Sequence, residues 1–300
     1  MGVRRIVSVR KTLLALVGCL LLSGCGAERE GARGTSTASS DPAPAPPTAT
    51  PEPEELYEAD ATVLESEQHG PMLCLGGILL SLPPQCGSVP VANWDWDAVE
   101  GEESLNGTTW GVYHVVGTYD GESFTVVQTG QHEGESWRPE PVYQSPCPEP
   151  AGGWVADPDH HTQEQDSRAH TYARSRPDYV ISFVDHLDEE LHEFSPVVFV
   201  AVFTGDRERH ESEIRKVWDG PLCVVERDAP TDRELRRIRR EAEASLAGLE
   251  LEMLGSSTGG VPPQVEIEVV ADPGGAGQDA LDARFGVGLV ELLPALRPVE

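Results

Sequence analysis

Between Thr108 and Thr129 polar and apolar residues alternate with a period of two, the signature of a half-buried strand. Trp110, Val112, His114, Val116 and Thr118 fall on one face. Asp120-Gly121 then supplies a tight hairpin turn, and Phe124, Val126 and Val127 carry the return strand. Upstream, Ala61–Leu64 and Met72–Leu75 read as strands. Trp94-Asp95-Trp96-Asp97 also alternates, but it is short and acidic and is not assigned as one. Residues 58–150 therefore read as a small all-β module. A long first strand, a cysteine-bounded loop and a twisted hairpin suit an OB-like barrel or a half-barrel.

The period changes beyond a loop at 130–160 rich in Pro, Gly and Glu, where the module boundary is placed. Thr162-x-x-Gln165 is a capping box and opens a helix that Pro177 stops. Tyr179–Val184 and Val197–Phe203 are strands. Asp206 is expected to cap a helix whose apolar positions are Ile214, Val217 and Trp218, and Pro221–Val225 is the next strand. A second capping box, Thr231-x-x-Glu234, opens the clearest helix, with Leu235, Ile238, Ala242, Leu246 and Leu249 on one stripe. Strands at Leu249–Leu254 and Val265–Val270 follow, then a helix at Ala280–Phe285 ended by Gly286, then a strand at Leu289–Leu293. Residues 151–300 thus spell helix-strand-strand-helix-strand twice. Asp206 and Asp272 each follow a strand and precede a helix, and Trp218 and Phe285 close those helices. The reading is an α+β chain whose second module is an internally duplicated α/β sandwich, or two unrelated α/β units of similar spacing. This element order resembles that of BON modules, which sit in bacterial envelopes. No residue signature carries that family's activity across.

The amino end holds a different pattern. Arg4, Arg5, Arg10 and Lys11 precede an apolar run from Leu13 to Leu22, too short to span a bilayer. Leu22-Ser23-Gly24-Cys25 resembles the lipobox of bacterial lipoproteins. That resemblance implies a leader at 1–24, cleavage before Cys25, and a diacylglyceryl group on its sulfur. Two acyl chains give stable anchoring. Leu16-Val17-Gly18-Cys19 fits the same pattern, but its apolar run would be very short, so Cys25 is preferred. Residues 25–57 hold Ser, Thr, Ala, Pro and Glu with almost no large apolar side chain, clearest at Asp41–Pro47. Such a segment cannot offset the entropy of ordering and reads as an extended tether, reaching at most on the order of 100 Å.

The chain has 51 acidic and 22 basic residues, a net charge of −29, and the leader removes four of the bases and none of the acids. That balance repels nucleic acid and anionic headgroups, so neither is an expected partner. Six cysteines are present. With Cys19 cut away and Cys25 acylated, Cys74, Cys86, Cys147 and Cys223 remain, and an oxidising compartment favours two disulfides. Of three pairings, Cys74–Cys86 is the local choice, leaving Cys147–Cys223 to tie two regions together. A zinc site would want C-x-x-C spacing, which this sequence lacks.

Candidate chemistry is sparse. Gly255-Ser256-Ser257-Thr258-Gly259 matches G-x-S-x-G, but a nucleophile elbow needs a helix directly after, and Gly260-Val-Pro-Pro263 follows instead, so the stretch reads as a hairpin loop. Asp157, Asp159, His160 and His161 cluster without an evident third ligand. Asp95, Asp97, Glu100, Glu102 and Glu103 lack EF-hand spacing, and Trp94 and Trp96 either pack on the barrel or line a recognition surface. His114 has no partner placed by sequence, and Asn106-Gly107 is foremost a turn. No catalytic residue, metal ligand or cofactor is therefore assigned.

The strings Cys74 to Gln85-Cys86, Trp94-Asp-Trp96, Thr118-Tyr-Asp-Gly121 and Ser145-Pro-Cys147 are similar to an uncharacterised group of secreted actinobacterial proteins. The resemblance implies location and architecture and no activity. The expectation is a lipid-anchored extracytoplasmic envelope protein with a non-catalytic binding or structural role. Its partners would be the membrane, through Cys25, and a cell-wall or envelope protein. The alternatives are a surface hydrolase with a site between the two modules, and a calcium-stabilised binding module.

Overall fold

The computed structural model describes residues 55–79, 81–87, 89–132, 143–154, 162–187 and 197–299, all within one compact unit, Pro51–Glu300. The assigned leader, Cys25 and most of the tether lie outside the described residues, as does the Asp157–His161 cluster. The fold is α+β and rich in sheet.

The β-rich part holds β1 (Leu56–Ser66), β2 (His69–Cys74), β3 (Val89–Ala92), β4 (Glu103–Leu105), β5 (Thr108–Tyr119) and β6 (Phe124–Gln131). Strand β1 pairs antiparallel with β2, β2 with β3, β6 with β5, and β5 with β1, while β3 and β6 run parallel. The pairings therefore return to their starting strand. Alternation decides what lies inside. Tyr57, Ala59, Ala61 and Val63 of β1 join Tyr113 and Val115 of β5 in the core, with Leu73, Val89 and Phe124. Gly117 lies inward at a register shift in β5, where a Cβ would collide with the Thr125 carbonyl and the Phe124 ring. The face with Trp110, Val112, His114, Val116 and Thr118 is the outer one. Trp110 is covered there by Leu64 and the Cys74–Cys86 pair, and Val112 is exposed.

The remainder builds two three-stranded sheets. In the first, α1 (Gln163–Arg174) precedes β7 (Tyr179–His186) and β8 (Val197–Phe203), and α2 (Arg207–Ile214) precedes β9 (Leu222–Glu226). In the second, α3 (Asp232–Leu246) precedes β10 (Met253–Gly259) and β11 (Gln264–Val269), and α4 (Ala276–Phe285) precedes β12 (Val290–Pro294). In each sheet the first two strands are antiparallel and the last two parallel. Both capping boxes form: Thr162 and Thr231 each accept from the backbone three residues on, and the Gln165 and Glu234 side chains reach back.

Two local expectations need correction. Asp206 adopts a left-handed conformation (φ 53°) and makes no capping bond; its carboxylate turns to Arg209, 3.8 Å away. Asp272 does what Asp206 does not, accepting from the N–H groups of Gly277 (2.8 Å) and Gln278 (3.0 Å). Gly255–Gly259 is strand rather than loop: β10 starts at Met253, because a 3-10 turn (Ala247–Leu249) extends α3, and the hairpin turn falls at 260–263.

A last strand, β13 (Arg297–Pro298), adds to β1, and Val270, Ala271 and Leu296 enter the core of the β-rich part. The two parts thus share buried surface. Cys74 bonds to Cys86 and Cys147 to Cys223, with Cα separations of 5.7 and 5.8 Å. The second bond pins residues 143–154 beneath β7–β8–β9, where Tyr143, Cys147 and Trp154 pack on Val198, Val200 and Val202. That cover explains why all seven residues of β8 are buried.

Candidate functional site

Asp60 is the centre of a polar cluster on the outer face of β1 and β5. Its register places it directly opposite His114. The same carboxylate oxygen, Oδ1, lies 3.1 Å from His114 Nδ1 and 3.3 Å from His132 Nδ1. A carboxylate only accepts, so both Nδ1 atoms donate, and His114 Nε2 lies 4.0 Å from Glu58 Oε2. Arg297 of β13 closes the group, with Nη2 3.4 Å from Glu58 and 3.7 Å from Asp60 Oδ2. Burial alone would raise the Asp60 pKa, but the hydrogen bonds and charges of His132 and His114 outweigh it and hold the carboxyl below its usual range. Exposed Val112 and Leu56 lie on the same strands. A surface of this kind can recognise a polar partner or exchange protons.

A second constellation lies at the edge of β7. His170 Nδ1 is 2.7 Å from Ser182 Oγ, which is 3.0 Å from the Tyr179 hydroxyl. On the other side of the ring, Nε2 is 3.5 Å from Asp166, one helical turn earlier on α1. Burial lowers the His170 pKa; Asp166 opposes that and Arg174 reinforces it. His170 is thus biased to its neutral form, able to accept the Ser182 proton. Tyr179 and Ser182 are both buried residues, yet they line a cleft of about 280 Å³. The strand edge of β7 forms one wall. Asp232, Leu235 and Arg236 of α3, with Thr258, Gly259 and Pro263 of the β10–β11 hairpin, form the other.

Sequence reasoning singled out His114 and placed it on the correct face, but missed Glu58, Asp60, His132 and Arg297. Only long-range pairing brings those together. It also passed over Asp166, His170 and Ser182, although the Asp166–His170 spacing of four on a capped helix was readable. Trp94 and Trp96 pack against the core of the β-rich part and against Tyr113, with centroid distances of 5.1 and 6.3 Å, and Trp96 donates to Glu65. Asp95 caps a 3-10 turn, and no group of three His, Cys, Asp or Glu side chains among the described residues is placed to hold a metal ion. A fourth histidine, His210, is buried between Asp178 (2.9 Å) and the Tyr172 hydroxyl (2.9 Å) and stacks on Phe203, a satisfied network that reads as structural.

Compared with protein-family models, curated proteins and solved structures, the chain has no significant match.

Proposed function

We propose that this chain is a lipid-anchored envelope protein, held outside the cytosol through Cys25, whose folded part binds a cell-wall or envelope protein partner. The observation that carries the reading is the pair of disulfides, one of them between residues 76 apart in sequence. Such bonds persist in an oxidising, extracytoplasmic compartment. No helix among the described residues is long and apolar enough to cross a membrane. Membrane attachment is then the work of the lipidated amino end. The test is metabolic labelling with palmitate followed by fractionation. Wild type is expected in the membrane fraction with label, and Cys25→Ala without either. A free thiol at position 25 in the membrane-extracted protein, found by mass spectrometry, overturns the anchoring.

Two architectural readings accompany this one. The closed pairing of β1, β2, β3, β6 and β5, with one parallel step, supports an OB-like barrel. The shared strand directions and helix positions of the two small sheets support an internal duplication, in keeping with the BON-like element order.

One observation favours catalysis as a second reading. The Asp166–His170–Ser182 chain ends on a cleft, which gives a hydrolase its nucleophile and base. A fluorophosphonate probe should then label Ser182 in wild type and nothing in Ser182→Ala. Absence of labelling from mildly acid to alkaline pH ends that reading.

A further inference from the structure

The β-rich part carries a charge imbalance that its core does not need. No lysine or arginine occurs between Arg33 and Arg138, so β1 to β6 supply none. Arg297, which joins these strands through β13, faces Glu58 and Asp60 on the outer face. Carboxylates crowd the stretch that follows Trp94: Asp95, Asp97, Glu100, Glu102 and Glu103 are all exposed. Beside this stretch lies a cavity of about 270 Å³. It is lined by residues 98–100, by residues 129–131 of β6, and by Tyr113 of β5.

Tyr113 is only 3 % exposed, yet its hydroxyl has no hydrogen-bond partner. Leaving a buried hydroxyl unpaired is unfavourable, and protein interiors rarely do so. The ring is held in place, because Trp94 and Trp96 pack on it and a Cβ at Gly111 would collide with its hydroxyl end. Burial raises the Tyr113 pKa and the charge of Glu102 raises it further, so the hydroxyl keeps its proton and feels that carboxylate. The indole N–H of Trp94 is also unpaired, but Trp94 does not line the cavity.

We infer that this cavity binds a primary alkylammonium group, with the Tyr113 oxygen and the Glu100 and Glu102 carboxylates around its charge and Val99 against its methylene stem. The chemistry selects this occupant. An ammonium has three donors and no acceptor, and the lining offers a phenolic oxygen, a carboxylate and the neutral oxygens of Thr129 and Gln131. An anion is repelled by the acidic stretch, and a neutral polyol gains nothing from it. A bare metal ion needs several ligands at one point, and among the described residues no group of three His, Cys, Asp or Glu is so placed. The group is borne by a lysine of a protein partner or by a free amine. The inference deepens the partner-binding reading by naming the partner's chemistry.

Its test titrates Nα-acetyl-lysine amide, the Nε-acetylated form of the same compound, and cadaverine into the purified full-length chain, followed by backbone amide shifts. The two amines are expected to give saturable shifts at residues 98–100, 113 and 129–131. The Nε-acetylated form should bind at least about tenfold more weakly. Tyr113→Phe should weaken binding of the lysine amide by about threefold or more, and Glu100→Gln with Glu102→Gln by about tenfold. Tyr113→Phe removes a hydroxyl that bonds to nothing, so its melting temperature should equal or exceed that of wild type, an outcome that a structural hydroxyl would not give. Tighter binding of the lysine amide assigns the group to a protein partner, tighter binding of cadaverine assigns it to a free amine, and both support the site. No saturable shift, equal binding of the acetylated form, unchanged binding in Tyr113→Phe or in the Glu100 and Glu102 pair, or a lowered melting temperature of Tyr113→Phe overturns the inference. Anchoring at Cys25 is read in a separate experiment, so failure of either leaves the other result intact.

Discussion

Removing the Cys147–Cys223 bond should cost more stability than removing Cys74–Cys86, by an amount that chain statistics set. A cross-link stabilises mainly by shrinking the unfolded ensemble, and the gain rises with the logarithm of the loop it closes. The two loops span 76 and 12 residues. The loop-closure relation then gives about 4.5 kcal/mol for the long bond and about 2.8 kcal/mol for the short one, a difference near 1.7 kcal/mol. Packing adds to the contrast. Cys223 is buried in β9 and its partner's segment covers the Val198, Val200 and Val202 face, so freeing that segment exposes part of the β8 core. Paired substitutions, Cys147→Ala with Cys223→Ala and Cys74→Ala with Cys86→Ala, followed by urea unfolding, measure both losses. The long-loop variant should also bind an apolar dye in its native state. Equal losses, or a larger loss for the short loop, would refute the chain-entropy account. A long-loop variant that binds no dye would refute the covering role of residues 143–154.

Three further outcomes follow from single side chains. Gly277→Ala should destabilise the fold by about 1–3 kcal/mol in urea, because its Cβ would lie 2.6 Å from Leu251 and 2.7 Å from the Asp272 carboxylate that caps α4. The Asp60 carboxyl titrates below its unfolded value, so its contribution is complete above about pH 4 and is lost as pH falls through the depressed native value. Asp60→Asn should therefore flatten the acid limb of a melting-temperature profile and leave its neutral limb parallel to wild type. The sign for His170 follows from burial, which lowers its pKa in the fold: the unfolded chain takes up the proton first, so stability declines as pH falls below about 6.5. His170→Gln, which keeps a partner for Ser182, should remove that decline, and an unchanged profile would show that His170 does not titrate as its surroundings dictate.

The sequence spoke most plainly where local chemistry decides structure. Thr162 with Gln165 and Thr231 with Glu234 announce two helix starts, and each box closes as its spacing requires. The Asp120-Gly121 turn and the alternation around it announce β5 and β6. What alternation could not say is which face is inside. Gly111, Tyr113, Val115 and Gly117 point inward, and Trp110, on the opposite face, is buried by a separate small cluster under Cys74 and Cys86. The polar site was hidden for a related reason. Asp60, His114, His132 and Arg297 are far apart in sequence, and only strand register, set by the whole sheet, puts them within hydrogen-bonding or ion-pairing reach.

The two small sheets show how the same strand plan can serve different surroundings. In β8 the run Val-Val-Phe-Val-Ala-Val-Phe has no polar position, and all seven residues are buried. Its counterpart β11 reads Gln-Val-Glu-Ile-Glu-Val, and only Val265, Ile267 and Val269 are buried. Helices cover one face of each sheet, through Phe199 and Ala201 in the first and through Val265 and Ile267 in the second. The difference is therefore on the other face. Under β8 the segment tied down by Cys147 supplies Tyr143 and Trp154, so apolar residues are retained there. On β11 that face carries Glu266 and Glu268, whose charges could not be buried without partners at a cost of several kcal/mol each. The continuous apolar strand thus has apolar cover on both sides, and the alternating one has a half-buried polar face.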